Sequence, residues 1–214
     1  MKAKKVYEFR TSGEIVSMGA DVYNKKKVQE WLDKYLKGFI AEVNDNKLIL
    51  NNNNNNYYTF YSLAISEFPP IFNIFESIII NGYLNLHSST KLIKLPNNII
   101  EVNGYLSLLS NFNLINLPDN LTKINGSLDL SFCSNLERLP ENLSIDGNLD
   151  LEYCSNLERL PENLSIDGNL KLFNCQIDEI PKTLNITGII YVNYEKLEYF
   201  KNKYYNYKFM ESEE

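Results

Sequence analysis

Apolar and polar residues alternate in six successive segments of this chain, and each segment is centred on a glycine. The positions two before, two after and four after the glycine are apolar, whereas the positions between them are mostly polar. A period of two predicts a β-strand with one buried face. The six glycines are Gly82, Gly104, Gly126, Gly147, Gly168 and Gly188. The apolar pairs that follow them are Leu84/Leu86, Leu106/Leu108, Leu128/Leu130, Leu149/Leu151, Leu170/Leu172 and Ile190/Val192.

The pattern recurs at an interval of 20 to 22 residues. The sixteen residues SNLERLPENLSIDGNL occur twice, starting at Ser134 and again at Ser155. A coil of this length cannot bury its apolar side alone, so such a period predicts a solenoid whose coils stack on one another. We therefore predict a mainly β, right-handed, leucine-rich-repeat-like solenoid of about six coils.

Glycines and prolines punctuate each coil in register. Each glycine occupies an inward position of an extended run, which predicts a bend, a bulge or a close approach between backbones. A proline follows 13 or 14 residues after each of the first five glycines. Because proline cannot donate a ladder hydrogen bond, we predict that the return side of each coil is irregular rather than a sheet strand.

The segments that flank the repeats predict caps. Apolar residues from Val28 to Leu36 lie on one face of a helix that Gly38 ends, and residues 39–43 and 47–50 alternate around a turn, as in a hairpin. We predict an N-terminal α+β cap over residues 1–56, the solenoid over 57–197, and a C-terminal helical cap with an acidic tail over 198–214. A separate recognition module at the N-terminus and an aromatic docking face at the C-terminus are the alternatives.

Composition restricts the classes of partner. The net charge of −6 and the pI near 5.0 argue against nucleic-acid binding, which needs a basic face. No stretch has the length of a membrane span, and the N-terminus lacks the apolar core of a signal peptide. We therefore expect no membrane partner and a reducing cytoplasm, the host's cytoplasm if a phage or virus encodes the chain.

The residues that could carry chemistry are few. Three cysteines recur at intervals of 21 residues, and we interpret them as buried thiols rather than as a zinc site or a disulfide. The chain has one histidine, His87, and no phosphate loop or nucleophile elbow. We therefore expect no enzymatic activity, no cofactor and no metal.

The outward positions of the predicted strands form the candidate binding face. They lie one, three and five residues after each glycine and vary among coils, whereas the inward positions stay apolar. Their aromatic side chains suit protein recognition. The candidate partner-binding residues are Tyr83, His87, Tyr105, Asp129, Asp150, Lys171, Phe173 and Tyr191.

Asp129 and Asp150 should stack on adjacent coils of this face. Two exposed charges about 5 Å apart repel each other by only roughly 0.8 kcal/mol in water. The acidic row is therefore compatible with a basic partner, with a cation, or with a solvated surface of no further role.

Residues 149–157 read L-x-L-x-x-C-x-x-L, which resembles the strand and turn of leucine-rich repeats. The resemblance extends over roughly residues 76–197. The proline-bearing half resembles short repeats of bacterial effectors and, more closely, of uncharacterised bacteriophage and large-virus repeat proteins; the opening MKAKKVYEF and the later EWLDKYL resemble the leader of those phage proteins. Cysteine stands where the family has asparagine, and the glycine row is not part of the general pattern, so a straighter β-solenoid is an alternative.

These observations predict a non-enzymatic scaffold that binds a protein partner through its outward strand face. For a phage-like source, the resemblance implies a host protein as the partner. The alternative is a structural role, as a virion or surface component in which the solenoid is a spacer or a lattice contact.

Overall fold

The computed structural model describes residues 20–44, 46–52 and 67–211, and it describes side chains from residue 24 onward. The described chain is mainly β, with two α-helices, α1 (Ala20–Tyr35) and α2 (Tyr194–Lys203), and a 3-10 turn at Pro70–Ile74. The strands are β1 (Phe39–Asn44), β2 (Lys47–Asn52), β3 (Ser77–Asn81), β4 (Leu84–Asn85), β5 (Ile99–Asn103), β6 (Leu106–Ser107), β7 (Lys123–Ile124), β8 (Leu128–Asp129), β9 (Ser144–Ile145), β10 (Leu149–Asp150), β11 (Ser165–Ile166), β12 (Leu170–Lys171), β13 (Asn185–Ile186), β14 (Ile189–Val192) and β15 (Lys208–Glu211).

The strands form two sheets that run along a solenoid of about six turns, which confirms the predicted fold class. Sheet 1 has the order β1-β2-β3-β5-β7-β9-β11-β13, and sheet 2 has the order β15-β14-β12-β10-β8-β6-β4. Each coil therefore contributes one strand to each sheet. Neighbouring coils pair in parallel and in register, so Ile124 lies opposite Ile145 and Leu128 lies opposite Leu149. This register stacks identical apolar positions into continuous columns.

The glycine of each coil lies at the corner between the two sheets. The extended run predicted from the alternation is therefore two short strands separated by a bend. A Cβ atom added at Gly126 would lie 2.7 Å from the carbonyl carbon and oxygen of Gly104, which is closer than real Cβ contacts come. The predicted bend and close backbone approach are both confirmed.

The return side of each coil closes the apolar interior without a third sheet. Within the described residues it carries only two isolated bridges, from Glu67 to Lys94 and from Asn116 to Arg138. The leucines that follow the turn, such as Leu136 and Leu157, are fully buried. The predicted irregular return side is confirmed.

The helix and the hairpin predicted before the repeats are both present. β1 and β2 pair antiparallel and place the hairpin beside β3, so sheet 1 continues into this cap. Gln29 of α1 donates from Nε2 to the carbonyl oxygen of Phe39 at 2.9 Å and accepts from the backbone N–H of Ala41 at 2.8 Å. One side chain thus satisfies backbone groups on the outer edge of β1, which would otherwise be open to strand pairing.

The last coil is covered by a helix, as predicted, and also by a strand that the pattern did not predict. Phe200 of α2 is fully buried, and its ring stacks on that of Phe209 at a centroid distance of 5.5 Å. Phe209 belongs to β15, which pairs in parallel with β14 and extends sheet 2 by one strand. The hydroxyl of Tyr204 accepts a hydrogen bond from the N–H of Ile180 at 3.1 Å. These contacts cover the apolar end of the solenoid.

The close contact at the corner predicts that a single added methyl group strongly destabilises the folded chain. In Gly126→Ala the new Cβ meets backbone atoms of the preceding coil, which cannot rotate away, so we expect the free energy of unfolding to fall by about 2–3 kcal/mol. Urea denaturation followed by circular dichroism measures this change. Lys123→Ala, at an exposed position of the same coil, is the control and should shift stability by no more than about 0.5 kcal/mol. Equal stabilities of the two variants would contradict the corner contact.

Candidate binding surface

The outward face of sheet 2, called the strand face below, consists of the residues one, three and five positions after each glycine. All eight residues predicted for partner binding lie there, and each is partly exposed. The row three positions after the glycine is in register along the sheet, so Asp129 lies opposite Asp150 and Asp150 lies opposite Lys171. Residues one repeat apart in the sequence therefore form a row of side chains on adjacent strands.

Tyr105 and Asp129 form the first cluster on the strand face. The Tyr105 hydroxyl donates to Oδ2 of Asp129 at 3.1 Å. Ser131 donates to Oδ1 of the same carboxylate through its hydroxyl at 2.6 Å and its backbone N–H at 3.0 Å. Burial, together with the charge of Asp129, raises the pKa of Tyr105 to about 12, so the tyrosine keeps the proton it donates. The Asp129 carboxylate is therefore held in one orientation.

Asp150, Glu152 and Lys171 form the second cluster. Lys171 Nζ lies 3.0 Å from Oδ2 of Asp150 and 3.6 Å from Oε1 of Glu152. Partial burial lowers the pKa of Lys171. The hydrogen bond and charge of Asp150, with the charge of Glu152, raise it by more than this, so the pKa of Lys171 lies above its ordinary value. The backbone N–H of Glu152 donates to Oδ1 of Asp150 at 3.1 Å. The acidic row is thus partly neutralised by one shared cation.

The remaining predicted residues lie toward the two ends of the face. The Oγ of Ser88 lies 3.0 Å from Nε2 of His87, and the N–H of His87 donates to Oδ1 of Asn85 at 3.1 Å. Tyr191 lies opposite Lys171 on one side and opposite Met210 of β15 on the other. The eight residues therefore form an extended surface rather than a converging site.

Several polar residues of the repeat hold the coils together. Ser127, Asn148 and Asn169 follow their glycines directly, and each accepts a hydrogen bond from the backbone N–H one coil further on, at 3.0, 2.8 and 2.9 Å. Before the glycines, Asn103 donates from Nδ2 to Oδ1 of Asn81 at 2.8 Å, in a row of asparagine side chains. Sequence reasoning assigned the positions directly after the glycines only to the variable surface. Their contacts indicate that they stabilise stacking.

A row of aromatic rings runs along the edge of the strand face and includes one of its residues, Phe173; sequence reasoning missed the other two members. The aromatic ridge consists of Phe132, Tyr153 and Phe173. The rings of Phe132 and Tyr153 stack with centroids 4.5 Å apart and planes 8° apart, and the Phe173 ring meets Tyr153 edge-on at 5.6 Å. Phe132 is 42% exposed and Tyr153 is 39% exposed. The available signal was the aromatic residue that directly precedes a cysteine in both coils.

The three cysteines line the solenoid interior just after the turn. The thiols of Cys133, Cys154 and Cys175 donate to carbonyl oxygens of Leu108, Leu130 and Leu151 in the preceding coil, at 3.2, 3.1 and 2.7 Å. Asn111 makes the equivalent contact in an earlier coil, where Nδ2 donates to the carbonyl of Leu86 at 3.0 Å. Burial raises the pKa of Cys133 and of Cys175 to about 12. The thiols are free and buried, as predicted.

One depression of the described surface lies beside the hairpin, where it is open to solvent and lined by Glu42, Asn51 and Asn81. Within the described ranges, no group of three or more His, Cys, Asp or Glu side chains is placed to hold a metal ion. No helix in the described part of the chain combines the length and apolar character needed to cross a membrane.

Comparison of the chain with protein-family models, with curated proteins and with solved structures finds no match. What the structure itself shows is a repeat-based β-solenoid with leucine-rich strands, which is compatible with a leucine-rich-repeat-like fold. The finer resemblance to phage and effector repeats stays a hypothesis.

The burial of the three thiols predicts that they do not react while the chain is folded. In the folded chain, burial and pKa values raised well above 9.0 leave almost no accessible thiolate, so we expect no reaction with a disulfide reagent at neutral pH. After denaturation all three cysteines should react at the rate of a small thiol. Absorbance of the released chromophore, with and without urea, measures both states. Fast labelling of even one cysteine in the folded chain would contradict this interior position.

Proposed function

We propose that this chain is a non-enzymatic scaffold that binds a protein partner through the strand face. The observation that carries the proposal is the ordered row on sheet 2, in which Asp129, Asp150 and Lys171 are each held by neighbours on the same face. Side chains fixed before binding lose little conformational entropy when a partner docks. A rigid row of polar and aromatic groups therefore supports binding as its role.

The dimensions and chemistry of the face support a protein as the partner. Six coils spaced about 4.8 Å apart give a face roughly 25 Å long, which is comparable to a standard protein interface. Aromatic residues such as Tyr83, Tyr105 and Tyr191 supply large contact areas at low entropic cost. The net charge of −6 disfavours nucleic acid as the ligand.

The proposal assigns no reaction to the chain. The polar groups of the strand face pair with one another along an open surface, and the histidine bonds to the serine beside it. General acid–base or nucleophilic catalysis needs groups that converge on one reacting atom. The resemblance to phage and large-virus repeats supports a host protein as the partner and the host cytoplasm as the place of binding.

Capture of a partner should depend on the tyrosines of the strand face. We expect the wild-type chain to retain a protein from its source or host cells, and a variant with Tyr83→Ser, Tyr105→Ser and Tyr191→Ser to lose it. Serine is the residue that the chain itself uses at these positions, as Ser127 and Ser107, so the fold should persist. Affinity capture with mass spectrometry compares the two, and melting temperatures confirm folding.

The matched control changes three exposed apolar side chains after the turn and on the return side. Ile93, Phe112 and Ile115 are 42%, 45% and 38% exposed, and their replacement by serine should leave capture unchanged. Equal capture by wild type and strand-face variant would move the site to the caps. Capture of nothing by any of the three would argue against a binding scaffold.

A structural role is the second candidate, and the end of sheet 2 favours it. β15 is the terminal strand of the sheet, and no described residue pairs with its outer edge. Such an edge is a template for pairing with another chain. If the solenoid is a lattice contact, sedimentation velocity should show large assemblies whose size falls in Glu211→Pro, which removes an N–H from the outer edge, whereas a soluble binder should sediment as a small species in both forms.

A further inference from the structure

We propose that the aromatic ridge is the anchor point for an arginine-bearing segment of the protein partner. The inference rests on the proposed function, since it names the kind of partner that the strand face would take. The ridge and the two carboxylate clusters lie on the same consecutive coils, with Phe132 after Asp129 and Tyr153 after Asp150 and Glu152.

The ridge is an apolar surface with a defined shape. Phe132 and Tyr153 are large rings that remain about two-fifths exposed, and they stack in parallel across two coils. Phe173 closes the row on the next coil with its edge toward Tyr153. Aromatic residues of this kind carry much of the binding energy where protein interfaces have been mutated.

Folding alone does not explain aromatic residues at this position. Phe132 and Tyr153 have φ values of 61° and 60°, in the left-handed region that bulky side chains rarely adopt. The equivalent residues of other coils are Ser88, Ser110 and Asn174, which adopt the same conformation with small polar side chains. The fold thus accepts smaller residues here, and the rings add exposed surface.

The carboxylates on the coils of the ridge favour a positively charged side chain of the partner. Among the positions three and five residues after the glycines, three are carboxylates, Asp129, Asp150 and Glu152, and one is a lysine, Lys171. Lys171 is shared between Asp150 and Glu152, so this part of the face keeps a net negative charge. A guanidinium group can lie flat on an aromatic ring and pair with a carboxylate at its edge. The ridge and the carboxylates together offer both contacts.

The same charges weigh against other occupants. Nucleic acid and acidic peptides would bring further negative charge to Asp129, Asp150 and Glu152. A second copy of this chain, with its own net charge of −6, would also be repelled. The described residues hold no cluster suited to a metal ion. A basic polypeptide segment is the occupant that complements both the rings and the charges.

A selection from random peptides tests the proposal and does not require an identified partner. Displayed peptides of about 12 residues, which can cross the ridge at roughly 3.3 Å per residue, are selected on the wild-type chain. We expect the recovered peptides to be rich in arginine. A synthetic copy of the most frequent peptide, and a second copy with citrulline in place of arginine, are then titrated by fluorescence polarisation.

The variants separate the rings from the charges. Phe132→Ser with Tyr153→Ser introduces the residue found at Ser88 and Ser110, so we expect a melting temperature within about 5 °C of wild type and a loss of affinity of tenfold or more. Phe112→Ser, an exposed aromatic outside the ridge, should leave affinity unchanged. Asp150→Asn with Glu152→Gln should weaken binding and reduce its dependence on salt.

The outcomes separate the ridge from the rest of the strand face. Arginine-rich peptides that lose affinity on the ridge variant and on citrulline substitution support the inference. Recovered peptides without basic residues, or basic peptides that bind the ridge variant as well as the wild type, overturn it. If such peptides lose affinity for the variant at Tyr83, Tyr105 and Tyr191, the proposed function of the strand face still stands. Recovery of no binding peptide from the library overturns the inference and also counts against a binding scaffold.

Discussion

The contact between successive glycines at the corner of the coil is the constraint on which the rest of the solenoid depends. A Cβ at Gly104, Gly126 or Gly188 would lie within 2.3–2.7 Å of backbone atoms in the preceding coil. Without side chains at the corner, the coils approach closely enough for both sheets to pair in register at once. The spacing of the apolar columns and of the outward rows follows from this close approach of the coils.

Polar side chains complete the stacking where the sheets are interrupted. The strands of the middle coils are two residues long, so the backbone ladder alone leaves amide groups at the corner to be satisfied. Ser127, Asn148 and Asn169 accept hydrogen bonds from those amides. Asn111 and the three thiols, which follow the turn, donate to carbonyl groups of the preceding coil. These buried or half-buried donors and acceptors are tolerated because each is hydrogen-bonded to a neighbouring coil. The cysteines that replace the asparagine expected from leucine-rich repeats keep the hydrogen bond and give up part of its strength.

A scaffold of this kind separates the residues that fold the chain from those that could recognise a partner. The inward leucines and the corner glycines hardly vary among coils, whereas Ser107, Asp129 and Lys171 differ at one equivalent position. The turn position also varies, and there Phe132 and Tyr153 place stacked rings on the same coils as Asp129, Asp150 and Glu152. Because the frame is the same in every coil, a change of side chain alters the surface with little effect on the backbone. The proposed binding role uses this separation between a constant frame and a variable surface.

The amino-acid sequence alone determined the repeat, the inward columns, the irregular return side, the helix and hairpin at the N-terminus and the buried cysteines, because each follows from a local period or a local residue preference. Tertiary structure decided the remainder. A period of two distinguishes inward from outward positions, and the glycine predicts a bend. Neither reveals that the two halves of the run belong to different sheets, since each sheet exists only through pairing with neighbouring coils. It places Asn148 on the surface without showing that the side chain binds the next coil. The stacking of Phe132 on Tyr153 and the pairing of β15 with β14 arise from residues about 20 positions apart, and only the stacked coils bring such residues together.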